Sequence, residues 1–270
     1  MITWAAVTDD NRARVAHVEQ SFKDKLCHFE SELLRFNRRH NLISASAENF
    51  VYEHHIRHCL ALNCFLFHDA DTVVDWGSGG GLPALPLGIT TPGINITAVD
   101  KVGKKMQAVS SMAKRLSVSN VDVFHGRADE WPGTATFSVS RATASLSELW
   151  RWHKKMLTNV RNDVRIAHRG QILAKMGPND GAFAKEILQE NTFADDMLED
   201  RAVEDSYWPP GLICLKGGSL DAEVAILLES DPMVRVTGYS VNEILAQPPG
   251  DSYFADKYLL LVQTTGDNGE

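Results

Sequence analysis

The stretch Val73-Val74-Asp75-Trp76-Gly77-Ser78-Gly79-Gly80-Gly81-Leu82-Pro83 joins a short β-branched run to a cluster of glycines. The β-branched residues are typical of a strand, and the residues after the glycines open a helical pattern. Glycine allows the tight turn with φ > 0 that such a junction needs, and it lets backbone N–H groups approach a ligand closely. The stretch therefore predicts an α/β fold with a ligand site at this strand–helix turn.

A second β-rich run, Asn95 to Val99, ends in Asp100, about twenty residues after the glycine cluster. A carboxylate at the tip of the next strand is placed to bind both hydroxyls of a ribose. Gly79 to Ala84 also fits the dinucleotide pattern G-x-G-x-x-A, so a nicotinamide dinucleotide is one alternative ligand. Asp75 argues against it, because a carboxylate there would repel a pyrophosphate but suits a cationic sulfonium cofactor that carries an amine. A glycine turn that only packs a helix on the sheet is the other alternative.

The composition predicts one large domain, with or without an appendage, from 270 residues of which 44% are hydrophobic. No apolar run approaches the ~20 residues that span a bilayer, and the N-terminal stretch lacks a signal-peptide pattern. None of the four cysteines shows C-x-x-C spacing: Cys27, Cys59, Cys64 and Cys214. These features predict a cytoplasmic protein with reduced thiols and no zinc site.

The net charge of −8 is concentrated in one segment, because residues 180–205 carry nine acids and two bases. Elsewhere, basic residues form two clusters: Arg35, Arg38 and Arg39, and then Lys101, Lys104, Lys105, Lys114 and Arg115. Such clusters can bind phosphates even on an acidic protein, although a solvated helix face explains each cluster equally well. The charge distribution therefore leaves a nucleic-acid partner open.

Hydrophobic spacing divides the chain into an N-terminal helical region (1–68), a domain of alternating strands and helices (69–263) and a tail (264–270). In the first region, helices are predicted over 15–36 and 48–65. Seven strands are predicted at 72–76, 95–99, 121–124, 136–140, 212–215, 233–239 and 257–263, with helices at 82–89, 103–116, 145–157, 181–190 and 219–229. This alternation predicts a mostly parallel, Rossmann-like sheet with helices on both faces, closed by a hairpin-like pair of late strands.

Residues from about 159 to 210 interrupt the alternation, and we interpret them as an acidic insertion. Two similar runs compete for the fifth strand, residues 172–177 and 213–218, whose lysines are Lys175 and Lys216. The second run is followed by a serine and early acids, which are typical of a capped helix start. We therefore favour the strand that contains Lys216.

Seven short motifs follow one another in a recognisable order. They are Phe36-Asn37-Arg38-Arg39-His40-Asn41-Leu42-Ile43-Ser44, Tyr52-Glu53-His54-His55-Ile56, the glycine loop with Leu82-Pro83 and Leu85-Pro86-Leu87, Asp100 with Gly103-Lys104-Lys105, Arg127-Ala128-Asp129-Glu130, Ser140-Arg141-Ala142, and Leu215-Lys216-Gly217-Gly218. In this order the chain resembles the RsmG (GidB) family over most of residues 30–157 and 211–263. That family consists of S-adenosylmethionine-dependent methyltransferases that modify nitrogen-7 of one guanine in small-subunit ribosomal RNA.

The resemblance implies S-adenosylmethionine as the cofactor and gives a set of cofactor-binding positions. The set is Gly77, Ser78, Gly79, Leu82, Asp100, Lys101, Val102, Ala128, Asp129 and Arg141. Asp100 suits the ribose, the backbone at Ala128 and Asp129 suits the adenine edge, and the N–H groups of the glycine loop suit the methionine carboxylate. The chain departs from the family pattern at Trp76 and Lys101, where smaller residues are usual, and in its insertion.

The resemblance also implies that catalysis is mostly alignment, because guanine nitrogen-7 carries an in-plane lone pair and no proton. Arg127, Arg141 and Lys216 lie at the predicted carboxyl ends of strands, where parallel sheets bind ligands, and are the candidate catalytic residues. Arginine can bind a phosphate bidentately or donate to guanine O6, whereas donation to nitrogen-7 would block the nucleophile. The alternative for the two arginines is a salt bridge to Asp129 or Glu130.

The expected partner is small-subunit ribosomal RNA or the assembling small subunit. The protein is expected to act as a monomer, to bind no metal and not to associate with a membrane. His54 and His58 have a spacing that can bind metal, but their alternation with apolar residues favours packing, and His55 matches a family position at the rim of the site. Two alternatives stay open. One is a small-molecule methyltransferase of the same fold, and the other is a non-catalytic ribosome-assembly factor.

Overall fold

The computed structural model describes residues 1–157, 206–248 and 253–265, and its centre is one sheet of eight strands. The strands are β1 (Thr3–Trp4), β2 (Thr72–Trp76), β3 (Asn95–Asp100), β4 (Val121–His125), β5 (Phe137–Arg141), β6 (Gly211–Gly217), β7 (Val234–Ser240) and β8 (Lys257–Thr264). Their order in the sheet is β1-β7-β8-β6-β5-β2-β3-β4. Only β8 runs antiparallel to its neighbours, so the predicted mostly parallel sheet with a late antiparallel pair is confirmed.

The count of seven strands was one too few, because the N-terminus supplies a strand of its own. Thr3 and Trp4 pair in parallel with Thr237 and Gly238 at the edge of the sheet. Two residues are too short to show the period-two alternation by which a strand is found in a sequence. The region 1–68 is therefore not purely helical, although helices make up most of it.

Helices cover both faces of the sheet. They are α1 (Asp9–Ser21), α2 (Lys23–His40), α3 (Arg57–Leu60), α4 (Ala84–Thr90), α5 (Gly103–Arg115), α6 (Leu146–Leu157), α7 (Asp221–Ser230) and α8 (Val241–Ile244). Apolar residues of α1 to α5 and α8 pack with one face of the sheet, and those of α6 and α7 pack with the other. No helix in the described parts of the chain is long and apolar enough to cross a membrane.

The two predicted N-terminal helices are divided more finely than the sequence indicated. The helix predicted over 15–36 breaks at Phe22 into α1 and α2. The helix predicted over 48–65 is a series of short turns, with a 3₁₀ turn at Ala45–Phe50, a π-turn at Val51–Ile56, α3, and a 3₁₀ turn at Ala61–Cys64. Each piece is only four to six residues long, too short for its own period to be distinguished in the hydrophobic pattern.

Strand pairing shows which of the two competing runs forms the strand next to β5. Strand β6 lies in parallel register with β5, with Arg141 opposite Leu215, so Lys216 ends the strand beside β5 as predicted. The competing run with Lys175, the predicted helix at 181–190, the acidic run at 180–205 and the end of the tail lie outside the described residues. The predicted insertion, residues 159–210, ends inside the core, because Trp208 is buried and its indole N–H donates to Leu62 O at 2.9 Å. The described end of this segment therefore packs on the core of the domain.

Candidate active site

The glycine loop follows β2 at the point where the strand order of the sheet reverses. Strands β3 and β4 continue from β2 in one direction, and β5 and β6 continue in the other. Ligands of open α/β sheets bind at the carboxyl ends of the strands at such a reversal. The backbone N–H groups of Gly77 and Ser78 both donate to Val99 O, at 2.9 and 3.0 Å, and this fixes the loop against the end of β3.

The loop needs glycine where its backbone turns. Gly77, Gly79 and Gly81 have φ values of +69°, +56° and +84°. A Cβ at Gly77 would lie 1.9 Å from Thr143 Cγ2, so this turn is covered by the segment after β5. At Gly79, in contrast, the nearest atom to a Cβ would be Gly77 O at 3.9 Å. The loop is thus packed on one side and open at Gly79, as close approach of a ligand requires.

Asp100 ends β3 next to this opening. One carboxylate oxygen accepts from Gly79 N at 3.0 Å, and the other accepts from Val102 N at 2.8 Å. Each oxygen can accept a further hydrogen bond, so both remain able to bind hydroxyl donors. Lys101 and Val102 follow at the surface, and both side chains are exposed. The predicted ribose-binding carboxylate therefore lies beside the open part of the glycine loop.

Asp75 lies beneath the loop and is fully buried. One of its oxygens accepts from Ala84 N at 3.1 Å at the start of α4, and Oδ1 has no partner among the described residues. Burial raises the pKa of Asp75 to about 7, because desolvation outweighs the opposing effects of Ser78, of the Ala84 N–H and of the charge of Arg141. The carboxyl that we predicted to attract a cationic cofactor therefore also holds α4 in place.

Arg141 ends β5 and is directed by a histidine from the π-turn. Its Nη1 lies 2.9 Å from His55 Nδ1, which must be the acceptor because a guanidinium only donates. Burial and the charge of Arg141 lower the pKa of His55 to about 4, so the imidazole is neutral near pH 7. Arg141 Nε is buried and has no partner among the described residues. The sequence indicated Arg141 and His55 separately, and the fold brings them together.

Lys216 lies one residue before the end of β6, and its side chain already has hydrogen-bond partners within the protein. Its ammonium donates to Ala144 O and to Glu223 Oε1, each at 2.7 Å. Glu223 also accepts from Leu146 N at the start of α6. These contacts tie the segment that covers Gly77 to helices α6 and α7, and they favour an anchoring role for Lys216 over capture of a substrate.

Arg127 follows β4 and lies on the surface. Its Nε donates to Asp129 at 3.1 Å, and its side chain is 63% exposed. This is the salt bridge that the sequence analysis held as the alternative for this residue. Ala128–Glu130 forms a 3₁₀ turn, and Lys155 donates to Asp129 O. Ala128 and Asp129 thus lie after the third of the adjacent strands β2, β3 and β4, where the adenine edge was predicted.

The residues present fit S-adenosylmethionine. Three features lie together at the carboxyl ends of β2 and β3. They are the open face at Gly79, the two accepting oxygens of Asp100 and the unpartnered Oδ1 of Asp75. Trp76, which departs from the family pattern, does not enter this edge. It is buried on the other face of the sheet, with ring centroids 5.5 Å from Trp131 and 6.2 Å from Trp152. Thr143 is the residue that sequence reasoning missed, because only the folded structure lays it on Gly77.

The two basic clusters of the sequence meet at one buried carboxylate, Glu32. Arg35 donates to it from α2 at 2.6 Å, and Arg115 donates from α5 at 2.7 Å. Although burial raises the pKa of Glu32, the hydrogen bonds and charges of the two arginines lower it overall. Helix α2 also contacts the glycine loop, since a Cβ at Gly80 would lie 3.0 Å from Leu33 Cδ1. The clusters thus join on one side of the molecule, along a helix that reaches the loop.

Comparison with known proteins identifies relatives over most of the chain. Residues 23–176 match the family model GidB, described as rRNA small subunit methyltransferase G. A ribosomal RNA small subunit methyltransferase G from Salinibacter ruber is 38% identical over 242 residues, which cover 90% of this chain and 93% of that protein. The protein of that name from Porphyromonas gingivalis is 32% identical over 170 residues, covering 63% and 71% of the two chains. The chain therefore belongs to the rRNA small subunit methyltransferase G (GidB) family.

Proposed function

We propose that this protein transfers a methyl group from S-adenosylmethionine to nitrogen-7 of a guanine in small-subunit ribosomal RNA. S-adenosylmethionine is the cofactor of the family to which the chain belongs. The observation that carries the proposal is the open face of the glycine loop at Gly79, which lies beside the carboxylate of Asp100. In the proposed complex Asp100 binds the ribose hydroxyls, the loop N–H groups bind the methionine carboxylate, and the backbone at Ala128 and Asp129 binds the adenine edge.

The proposed reaction requires little chemistry from the side chains. When bound, S-adenosylmethionine supplies an electrophilic methyl group on a positively charged sulfur. Guanine nitrogen-7 has a lone pair and no proton to lose, so the protein needs no general base and contributes by holding the guanine in line. The neutral imidazole of His55 suits this reaction, because it orients Arg141 as a hydrogen-bond acceptor and adds no second positive charge.

Arg141 is the candidate for guanine capture. It combines a position at the carboxyl end of β5 with a guanidinium whose Nε has no partner among the described residues. In the proposed complex the guanidinium donates to guanine O6 or to an adjacent phosphate, leaving nitrogen-7 free. We assign Lys216 an anchoring role and Arg127 no role in catalysis, because both are already paired with carboxylates of the protein itself.

The basic clusters support RNA as the substrate. Arg38, Arg39, Lys104 and Lys114 are exposed, and they extend from the arginine pair at Glu32 on α2 and α5. Basic side chains grouped in this way attract a phosphate backbone, and the attraction weakens as salt rises. A small-molecule methyltransferase has no use for such a surface. We further propose that the protein acts as a cytoplasmic monomer on the ribosomal RNA or on the assembling small subunit.

The test uses purified small ribosomal subunits that lack this methylation. The protein is incubated with them and with methyl-labelled S-adenosylmethionine, and the labelled base is then mapped. Label at nitrogen-7 of a single guanine supports the proposal, and the variant Asp100→Ala, assayed at subsaturating cofactor, should transfer much less. Label on a free small acceptor, with none on RNA, would favour the small-molecule alternative. Binding of the subunit without any transfer would favour a non-catalytic assembly factor.

A further inference from the structure

Three aromatic rings lie face to face at the surface next to the candidate active site. The His54 and Tyr253 ring centroids are 3.8 Å apart with an interplanar angle of 2°, and the Phe50 and His54 centroids are 4.7 Å apart at 19°. Phe50 is 52% exposed and Tyr253 is 39% exposed. We call these three residues the aromatic stack. Its members come from two separate segments, so the stack exists only in the folded chain.

The aromatic stack borders the edge of the sheet at which Arg141 lies. His54 is followed by His55, whose imidazole accepts from Arg141. Next to Tyr253, the ammonium of Lys257 lies 5.1 Å from the tyrosine ring centroid. Lys257 pairs with Gly217 at the carboxyl end of β6, one strand away from Arg141. The stack therefore begins at the rim of the site and extends outward to Phe50.

The geometry of the stack suits a planar ring better than an aliphatic side chain. Parallel rings at these distances present a flat π-face at the end of the stack, and Phe50 has only the His54 ring as an aromatic neighbour in the described parts of the chain. Burial lowers the pKa of His54, so the middle ring of the stack is neutral near pH 7. Unpaired nucleobases bind to proteins by stacking on faces of this kind.

Methylation of a guanine in folded RNA creates a need for such a surface. A base that enters an active site leaves its stack, and the neighbouring bases lose stacking contacts. We propose that the aromatic stack of Phe50, His54 and Tyr253 binds an unpaired base that neighbours the target guanine. This inference rests on the proposed function, since it takes RNA as the substrate. It adds a second contact point, outside the cofactor pocket, to which nothing in the family comparison assigns a role.

The test compares two replacements of the outer ring, Phe50→Leu and Phe50→Tyr. A matched control is Trp4→Leu, because Trp4 is also an exposed aromatic, at 55%, but it lies on the edge strand β1 and packs against Tyr258 rather than in the stack. Binding of a fluorescein-labelled single-stranded RNA that spans the methylated guanine is followed by anisotropy across a range of salt. Phe50→Leu should bind about tenfold more weakly, whereas Phe50→Tyr and Trp4→Leu should bind like the wild type.

Two further measurements separate stacking from other effects. The slope of log affinity against log salt should stay unchanged in Phe50→Leu, since no phosphate contact is lost, whereas it should fall in Arg39→Gln. In methyl transfer to small subunits, KM should rise about tenfold with kcat nearly constant. Equal affinity of Phe50→Leu and wild type, or equal weakness of the leucine and tyrosine variants, would overturn the inference. RNA binding does not require methyl transfer, so wild-type protein that binds through the stack but transfers no methyl group would contradict only the proposed function.

Discussion

At the carboxyl ends of the strands, polar side chains are held in different ways on the β2–β3 side and on the β5–β6 side of the sheet. On the β2–β3 side, Asp100 accepts from the backbone of Gly79 and Val102, which are 21 and 2 residues away. On the β5–β6 side, Arg141 is held by His55, which is 86 residues away, and Lys216 by Ala144, which is 72 residues away. The β2–β3 side, which we propose binds the cofactor and call the cofactor half, is therefore built mostly from one compact stretch of sequence. The β5–β6 side, which we propose faces the substrate and call the substrate half, depends on how remote segments dock onto the sheet.

The largest expected effect breaks the cofactor half at its most crowded point. Gly77→Ala places a Cβ 1.9 Å from Thr143 Cγ2 at a φ of +69°. We expect a loss of stability of about 1–3 kcal/mol and a drop of about a hundredfold in affinity for S-adenosylmethionine, measured by thermal unfolding and calorimetry. Gly218→Ala is the matched control, because its φ is +79° but nothing lies within 4 Å of the added Cβ. Wild-type affinity in Gly77→Ala would mean that the loop can move away from Thr143 freely.

The second prediction breaks the substrate half. Arg141→Gln removes the charge and the hydrogen bond to His55, and we expect kcat for methyl transfer to fall about a hundredfold at saturating cofactor. His55→Gln should lower kcat by a smaller factor, about tenfold, because the guanidinium remains but loses its orienting acceptor. Steady-state assays with saturating small subunits measure both. Full turnover by Arg141→Gln would leave this arginine with a structural role only.

The third prediction concerns Asp100, the carboxylate that we propose to bind the ribose of the cofactor. Asp100→Ala removes the acceptor for the ribose hydroxyls and should weaken S-adenosylmethionine binding by about 1.5–3 kcal/mol, roughly ten- to a hundredfold. Asp122→Ala, an exposed position on the neighbouring β4, is the control and should bind normally. Calorimetry that shows unchanged affinity in a folded Asp100→Ala protein would remove the ribose assignment.

The smallest expected effects sharpen the difference between the candidate cations. Lys216→Gln breaks a mostly buried pair with Glu223 and should lower the free energy of unfolding by about 1–3 kcal/mol, as measured in urea. At a temperature well below unfolding, it should retain most of its methyl transfer. Arg127→Gln removes only an exposed pair and should change neither stability nor turnover by more than about twofold. A complete loss of methyl transfer in a stably folded Lys216→Gln protein would indicate that this lysine binds the substrate.

Much of the fold was predictable from short-range pattern. The seven strands inferred from apolar and β-branched runs all exist, with ends within about two residues. Their side chains are buried along the paired length, so the apolar run in the sequence marks where each strand begins and ends. The additional strand at Thr3–Trp4 and the π-turn at Val51–Ile56 were not predictable in this way. A two-residue strand has no alternation, and a six-residue turn is too short for its period to be distinguished in the sequence.

The sequence by itself determined the cofactor half: the glycines that the turn requires, the carboxylate at the tip of β3, and the sheet on which both are placed. It also determined which cations end strands, but not what those cations do. That was decided by tertiary structure, which paired Arg141 with His55 and Lys216 with Ala144, and which also brought Arg115 to Glu32. The physical reason is reach. A glycine acts through its own backbone. A long charged side chain can reach many partners, and those on remote segments come within reach only when the chain has folded.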